Sequence, residues 1–101
     1  MVDASHANSA KKPDNQILVC ADLAGQIANG EERIIGVMVE SHLVGGRQDL
    51  VAGKDLVYGQ SITDGCIAWE DSVRVLEGLA AAVRLRRVRG AGFGGGEAAA
   101  R

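Results

Sequence analysis

Aromatic side chains are nearly missing from this chain: one Trp, one Tyr and one Phe make up 3% of it. Any core must therefore be aliphatic, drawn from the Val, Leu, Ile and Ala that dominate a 47% hydrophobic fraction. Neither sign of charge is in large excess. The formal net charge of −2 offers no bulk attraction for nucleic acid or an anionic membrane, so neither is expected as a partner. No apolar run approaches the roughly 20 residues that a membrane-spanning helix needs. The first twenty residues also lack the charged-then-apolar order of a signal peptide, and a soluble, cytoplasmic protein is the expectation. Only two cysteines occur, Cys20 and Cys66. Without a secretion signal they are expected to be reduced, buried thiols rather than a bridge. A length of 101 residues allows at most one small domain, given the usual roughly 100–200 residues per domain.

What is present is order along the chain. Met1–Ala4 leans apolar and reads as the remnant of a strand. Ser5–Asn15 is polar and holds the single proline, Pro13, a residue suited to the beginning of a helix and not to its middle. Apolar residues then recur at Ile17, Cys20, Ala21, Ala24, Ile27 and Ala28. That spacing predicts a helix over Asn15–Asn29, with Asn29–Gly30 as its left-handed stop. Ile34–Val39 is apolar on both faces and rich in β-branched residues, as in a parallel strand covered on two sides. Its pleat would put Gly36, Met38 and Glu40 on one face.

Leu43–Gly65 is a Gly-rich connection of about twenty residues, and unstructured connections that long inside compact domains are usually functional. A second helix is predicted over Trp69–Arg87, from apolar residues at Val73, Leu76, Leu79, Ala80 and Val83. Acidic residues open it, and Arg84, Arg86, Arg87 and Arg89 close it, the polarity that the helix dipole favours. These arginines are expected to be a solvated helix end, and Trp69 a packing residue. Residues 90–101, "GAGFGGGEAAAR", have no periodicity and read as a low-complexity tail after a unit at 1–89.

The resulting βαβα order is α/β and implies a parallel sheet with right-handed crossovers. Two strands cannot cover both faces of themselves, so the chain reads as part of a larger α/β domain. In such units chemical groups collect at the C-terminal ends of the strands and in the loops that follow. His6 comes just after the first strand, Glu40 ends the second, and Asp64 lies in the long connection beyond it. One imidazole and two carboxylates suit Mn²⁺, Fe²⁺, Co²⁺ or Zn²⁺. Other readings stay open on spacing alone. His42 is as good a ligand by type, His6 can be a plain loop residue, Glu40 can pair with a Lys or Arg, and Asp64 before Gly65 can be an ordinary turn residue.

Three stretches narrow the choice: "SHANSAKK" from Ser5, "ANGEERIIGVMVESHLVGGRQDL" from Ala28, and "YGQSITDGCIAWEDSVRVLEGLAAAVRLRR" from Tyr58. In that order they resemble the C-terminal part of class I 3-deoxy-D-arabino-heptulosonate 7-phosphate (DAHP) synthases, over about Val2–Arg87. The family pattern reads Ser-His-Ala-Asn-Ser, Ile-Gly-Val-Met-Val-Glu-Ser-His-Leu and Ser-Ile-Thr-Asp-Ala-Cys-Ile. The resemblance implies the last two βα units of a (β/α)₈ TIM barrel, incomplete as given and cut inside the seventh strand. It implies that His6, Glu40 and Asp64 bind the divalent metal. It also implies a parent transferase that condenses phosphoenolpyruvate with D-erythrose 4-phosphate, the first step of the shikimate pathway and of aromatic amino acid biosynthesis. The full-length enzyme would be a homo-oligomer.

Departures from the pattern matter as well. The family's fourth ligand is a cysteine near its first strand, and neither Cys20 nor Cys66 matches it. The Arg and Lys residues that grip the substrate phosphates belong to earlier parts of the family's chain. Gly45 stands where the family commonly has Glu, and Ala10 where it often has Ser. The chain alone is therefore expected to be catalytically silent. The rival readings are a non-catalytic metal-binding or interaction module derived from the synthase, and a related synthase acting on another sugar phosphate.

Overall fold

A computed structural model describes residues 1–91 of the chain. Two short parallel strands, β1 (Val2–Asp3) and β2 (Val37–Met38), pair with Val2 opposite Val37 and Asp3 opposite Met38. A 3₁₀ turn at His6–Ser9 follows β1. Helix α1 (Asn15–Ala28) then crosses over to β2, and helix α2 (Trp69–Ala91) comes after the long connection. The described residues are thus α/β, with the parallel pairing that the βαβα order requires. No helix in this range is long and apolar enough to cross a membrane.

The second strand is shorter than the apolar run that encodes it. Besides the paired residues, the ladder reaches only the Gly36 carbonyl, bonded by Val2 N–H at 2.9 Å, and the Met38 carbonyl, bonded by Ala4 N–H at 2.9 Å. Pairing needs a partner, and β1 offers only Val2–Asp3 and the following Ala4 N–H. Ile34 is buried, but Ile35 is 85% exposed, so the run is covered on one side instead of two.

One core lies between the sheet and the helices. Ala4, Cys20, Ile67 and Val75 form one cluster and Leu23, Ile27, Ile34 and Ala82 a second. Val2, Val37, Val39 and Leu79 pack against them. Since Val37 and Val39 face the helices, strand alternation turns Met38 and Glu40 to the opposite face. The core is aliphatic as composition demands, and Cys20 and Cys66 are buried free thiols, as expected.

Both helices arise where the periodicity predicts them, with different buried faces. In α1 the buried residues are Gln16, Cys20, Leu23 and Ile27, while Ala21 faces solvent. In α2 they are Ser72, Val75 and Ala82, with Leu79 and Val83 partly covered. Leu76, expected in the core, is 60% exposed. It lies on the flank of α2 that overhangs the free edge of β2, where it lines an open apolar groove with Val37, Val39 and the half-exposed Trp69. The α1 stop forms at Asn29–Gly30 as expected, and the helix itself ends at Ala28, one residue short of its predicted end. Gly30, at φ +103°, takes the left-handed position. Its N–H reaches the Ile27 carbonyl at 2.9 Å, and Glu31 N–H reaches Gln26 at 3.0 Å, the paired bonds of a Schellman stop.

The arginine-rich end of α2 is not simply solvated. Arg86 donates to the carbonyls of Glu31 at 2.9 Å and Ile34 at 3.3 Å, clamping the α1–β2 connection. Arg84 and Arg87 are exposed as expected. The helix also outruns its predicted end at Arg87 and takes in the first two residues of the 90–101 stretch. The rest of that stretch lies outside the described residues.

The connection Leu43–Gly65 folds back on itself. Gly46 and Cys66 exchange backbone bonds of 2.8 and 3.1 Å, His42 N–H reaches Ile67 O at 3.0 Å, and Ile67 N–H reaches Glu40 O at 3.0 Å. Ile67, fully buried, anchors this return; burying such a side chain is worth about 1.5–3 kcal/mol. The loop before it is thereby held against the end of β2.

Candidate metal centre

The first ligand candidate follows from how β1 stops. Ala4 and Ser5 are buried, and the chain then turns sharply with His6 at φ +52°, a left-handed conformation unusual for any residue but Gly. Such outliers persist only where surrounding contacts enforce them, and they cluster at functional sites. Here the turn brings His6 Nδ1 to 2.9 Å from Asp3 Oδ2. Asp3 is itself held by Ser5 N–H at 2.7 Å. Donating Nδ1–H to Asp3 leaves the Nε2 lone pair of a neutral imidazole free.

Nε2 points at the two carboxylates, 3.7 Å from Glu40 Oε2 and 3.6 Å from Asp64 Oδ2. The Asp3 hydrogen bond raises the His6 pKa above its ordinary value, and the charges of Glu40, Asp3 and Asp64 add to the effect. Asp3 moves the other way, lowered first by the Ser5 N–H and then by His6.

Glu40 projects from the end of β2 on the face away from the core. Its Oε1 accepts a hydrogen bond from the Ser5 hydroxyl. Its main chain is bonded in both directions by the Gln16 side-chain amide, at 2.7 and 3.1 Å. Asp64 is carried by the returning loop. There Gly65 presses on Pro13 so closely that a Cβ at Gly65 would stand 2.4 Å from the proline Cγ. Arg47 steadies the same loop, donating to the Thr63 carbonyl at 2.7 Å and pairing with Asp49 Oδ1 at 2.7 Å. Ser5, His6, Glu40, Arg47 and Asp64 line an open cavity of about 310 Å³, with Lys11 at its wall.

The donor set fits a divalent ion. One ligand atom from each of His6, Glu40 and Asp64 lies within 4.8 Å of the others. Donors bound tetrahedrally at 2.0–2.2 Å sit roughly 3.4 Å apart, so the His6 distances need to change by only a few tenths of an ångström. His42 is not part of the group: it is exposed, and its Nδ1 accepts from Leu43 N–H at 2.8 Å. Nor do the cysteines join it. Both are buried free thiols, Cys20 in the aliphatic core, and neither thiol falls in the group that His6, Glu40 and Asp64 form.

Of the residues singled out in the sequence, the structure thus brings His6, Glu40 and Asp64 together and leaves His42 out. Asp3, Ser5 and Gln16 were not foreseen. Only Gln16 carried a signal, as a polar residue in register with Cys20, Leu23 and Ile27 on the buried face of a helix.

Fold and site together define a class: an α/β unit whose nitrogen and oxygen donors converge at the C-terminal ends of parallel strands. The sequence model of the DAHP synthetase I family matches residues 1–77, and the chain belongs to that family. It is 63% identical over 87 residues to a phospho-2-dehydro-3-deoxyheptonate aldolase from Haemophilus influenzae, covering 86% of this chain and 24% of that protein. It is 60% identical over 87 residues to the Phe-sensitive phospho-2-dehydro-3-deoxyheptonate aldolase of Escherichia coli K12, covering 86% of this chain and 25% of the relative. A solved structure of the aldolase from Francisella tularensis superimposes with a TM-score of 0.79 at 50% identity, covering 84% of this chain and 24% of that one. The chain therefore spans about a quarter of the length of the relatives it matches.

Proposed function

We propose that this chain is the C-terminal part of a 3-deoxy-7-phosphoheptulonate synthase. In this reading it supplies the last two βα units of a (β/α)₈ barrel, with the synthase-derived part at residues 1–89 and a tail at 90–101. The full-length enzyme would be cytoplasmic and homo-oligomeric, and would condense phosphoenolpyruvate with D-erythrose 4-phosphate, releasing phosphate. The observation that carries the reading is the convergence of His6, Glu40 and Asp64 in a member of this family.

In this reading His6 Nε2, Glu40 Oε2 and Asp64 Oδ2 hold a divalent ion: Mn²⁺, Fe²⁺, Co²⁺ or Zn²⁺ all accept such mixed donors. The ion supplies Lewis-acid polarisation of the sugar-phosphate aldehyde. The chain's own part is to prepare the donors. Asp3 holds the imidazole in the tautomer that leaves Nε2 unprotonated, and the Ser5 hydroxyl occupies Glu40 Oε1 so that Oε2 faces inward. The two carboxylates offset the charge of the ion. Catalysis further requires phosphate clamps and the family's cysteine ligand, and no residue here matches them.

The test is complementation. The chain mixed or co-expressed with the remaining six units of the Haemophilus influenzae relative should release the phosphate of phosphoenolpyruvate when D-erythrose 4-phosphate is present, and the chain alone should not. Turnover by the chain alone overturns the reading of it as a part. A second reading, a non-catalytic metal-binding module, is favoured by one observation: Asp3, Ser5 and Gln16, which support the donors, all lie within the chain itself. Metal binding without any complementation would favour that module.

A further inference from the structure

Gln16 has no exposed surface, and it sits in the first turn of α1 in register with three core residues. An amide buried on an apolar face is costly unless all its hydrogen-bonding groups find partners. It spends both ends on one residue. Oε1 accepts from Glu40 N–H at 2.7 Å, and Nε2 donates to the Glu40 carbonyl at 3.1 Å. This two-point pairing is what an adjacent strand would provide, and it falls where no strand does so: the last β1–β2 bond is Ala4 N–H to Met38 O. The Glu40 carbonyl also takes Ile67 N–H at 3.0 Å, at the return of the loop that carries Asp64.

We infer that Gln16 is the positioning residue of the metal centre. It replaces the missing ladder at Glu40, sets the direction in which that carboxylate leaves the backbone, and couples it to the loop bearing Asp64. The inference rests on the reading of His6, Glu40 and Asp64 as ligands. Partners that orient a ligand without touching the metal typically contribute 10–100-fold to affinity, and that is the contribution expected of Gln16. A merely structural role would lower the melting temperature and leave affinity alone.

The experiment is a Co²⁺ titration of the 101-residue chain, read by visible absorption, for the wild type, Gln16→Met and Ile27→Val. Gln16→Met keeps the volume and removes both bonds; Ile27→Val loosens the same helix away from the site. The expected result is binding by the wild type, 10–100-fold weaker binding by Gln16→Met, and Ile27→Val within about twofold of wild type. Unchanged affinity in Gln16→Met, or equal losses in both variants, overturns the inference while leaving the ligands in place. Absence of any Co²⁺ spectrum in the wild type overturns the ligand reading and the inference with it. Should Gln16→Met fail to fold, amide exchange on the wild type decides. Glu40 N–H should exchange slowly and be slowed further by Zn²⁺; exchange as fast as that of the exposed Asp55 amide overturns the inference.

Discussion

The two ends of the β1–β2 pair are built on different principles. At the C-terminal end two of the three donors have polar partners within the chain: Asp3 on His6, Ser5 on Glu40, Gln16 on the Glu40 backbone. At the other end the chain presents bare apolar surface, with Met1 81% and Ile35 85% exposed. Hydrogen bonds are directional and short, so a few residues close in sequence or joined by one crossover can hold a site. Burial is additive in area, and two strands cannot supply enough of it. The site end holds its His6 and Glu40 donors with its own hydrogen bonds, and the opposite end is bare apolar surface.

The sharpest way to break this contrast is at the donors. His6→Ala, Glu40→Ala and Asp64→Ala should each abolish measurable Co²⁺ binding by calorimetry, while circular dichroism of the chain changes little. A variant that keeps wild-type affinity removes that residue from the site. Next comes the anchor joining the site to the core. Ile67→Ala should cost about 2–5 kcal/mol in denaturant unfolding, because a fully buried side chain leaves a cavity. It should also release the Asp64 loop. A loss below 1 kcal/mol, on the same scale, would mean that the loop is held elsewhere.

The close approach of Gly65 to Pro13 gives a more local test. Gly65→Ala should cost about 1–3 kcal/mol by overpacking against the ring, and adding Pro13→Ala should restore most of it. A neutral Gly65→Ala would show that the contact yields freely. At the opposite end, Ile35→Lys should stay within about 0.5 kcal/mol of wild type, since nothing covers that side chain.

The smallest effect expected is a pH dependence of opposite sign at the two ends. His6 is raised, so its contribution to the metal-free fold is complete below its ordinary pKa of 6.5 and is lost as pH climbs through the raised value. Glu31, beside Arg33 at the far end, is lowered from 4.5 to about 2. Its contribution is present above 4.5 and is lost as pH falls toward about 2. The thermal midpoint of the metal-free chain should therefore be highest between these windows. Neutralising His6 by His6→Gln should flatten the alkaline side most, and the acid side slightly, because His6 also helps to lower Asp3. His6 is exposed and Glu31 is only partly covered, so both are screened and shifts of a few degrees at most are expected.

Much of this was legible in the residues. The order of elements, the two helices and the parallel pairing follow from periodicity, capping residues and the crossover rule. The strand ends left His6, Glu40, His42 and Asp64 open as donors, and only the resemblance singled out three of them. The motifs around His6, Glu40 and Asp64 pointed to a family that the sequence comparison bears out. The buried face of α2 was misread because its apolar residues form two overlapping stripes. The neighbour that chooses between them is α1 and β2, which no local window contains. Likewise the strand at Ile34–Val39 carries its propensity in sequence, but its length is decided by how much of a partner β1 offers.

By itself, then, the amino-acid order determined which elements form and which candidate donors ride on them. That is local chemistry: side-chain type, 3.6- and 2-residue periods, and glycine where a helix must end. Tertiary structure alone decided that the donors meet. Their convergence depends on the left-handed turn at His6, the Gly65–Pro13 contact and the amide of Gln16 standing in for a strand at Glu40. Each of these joins groups that only the folded chain makes neighbours or enforces a backbone conformation that an isolated segment would abandon.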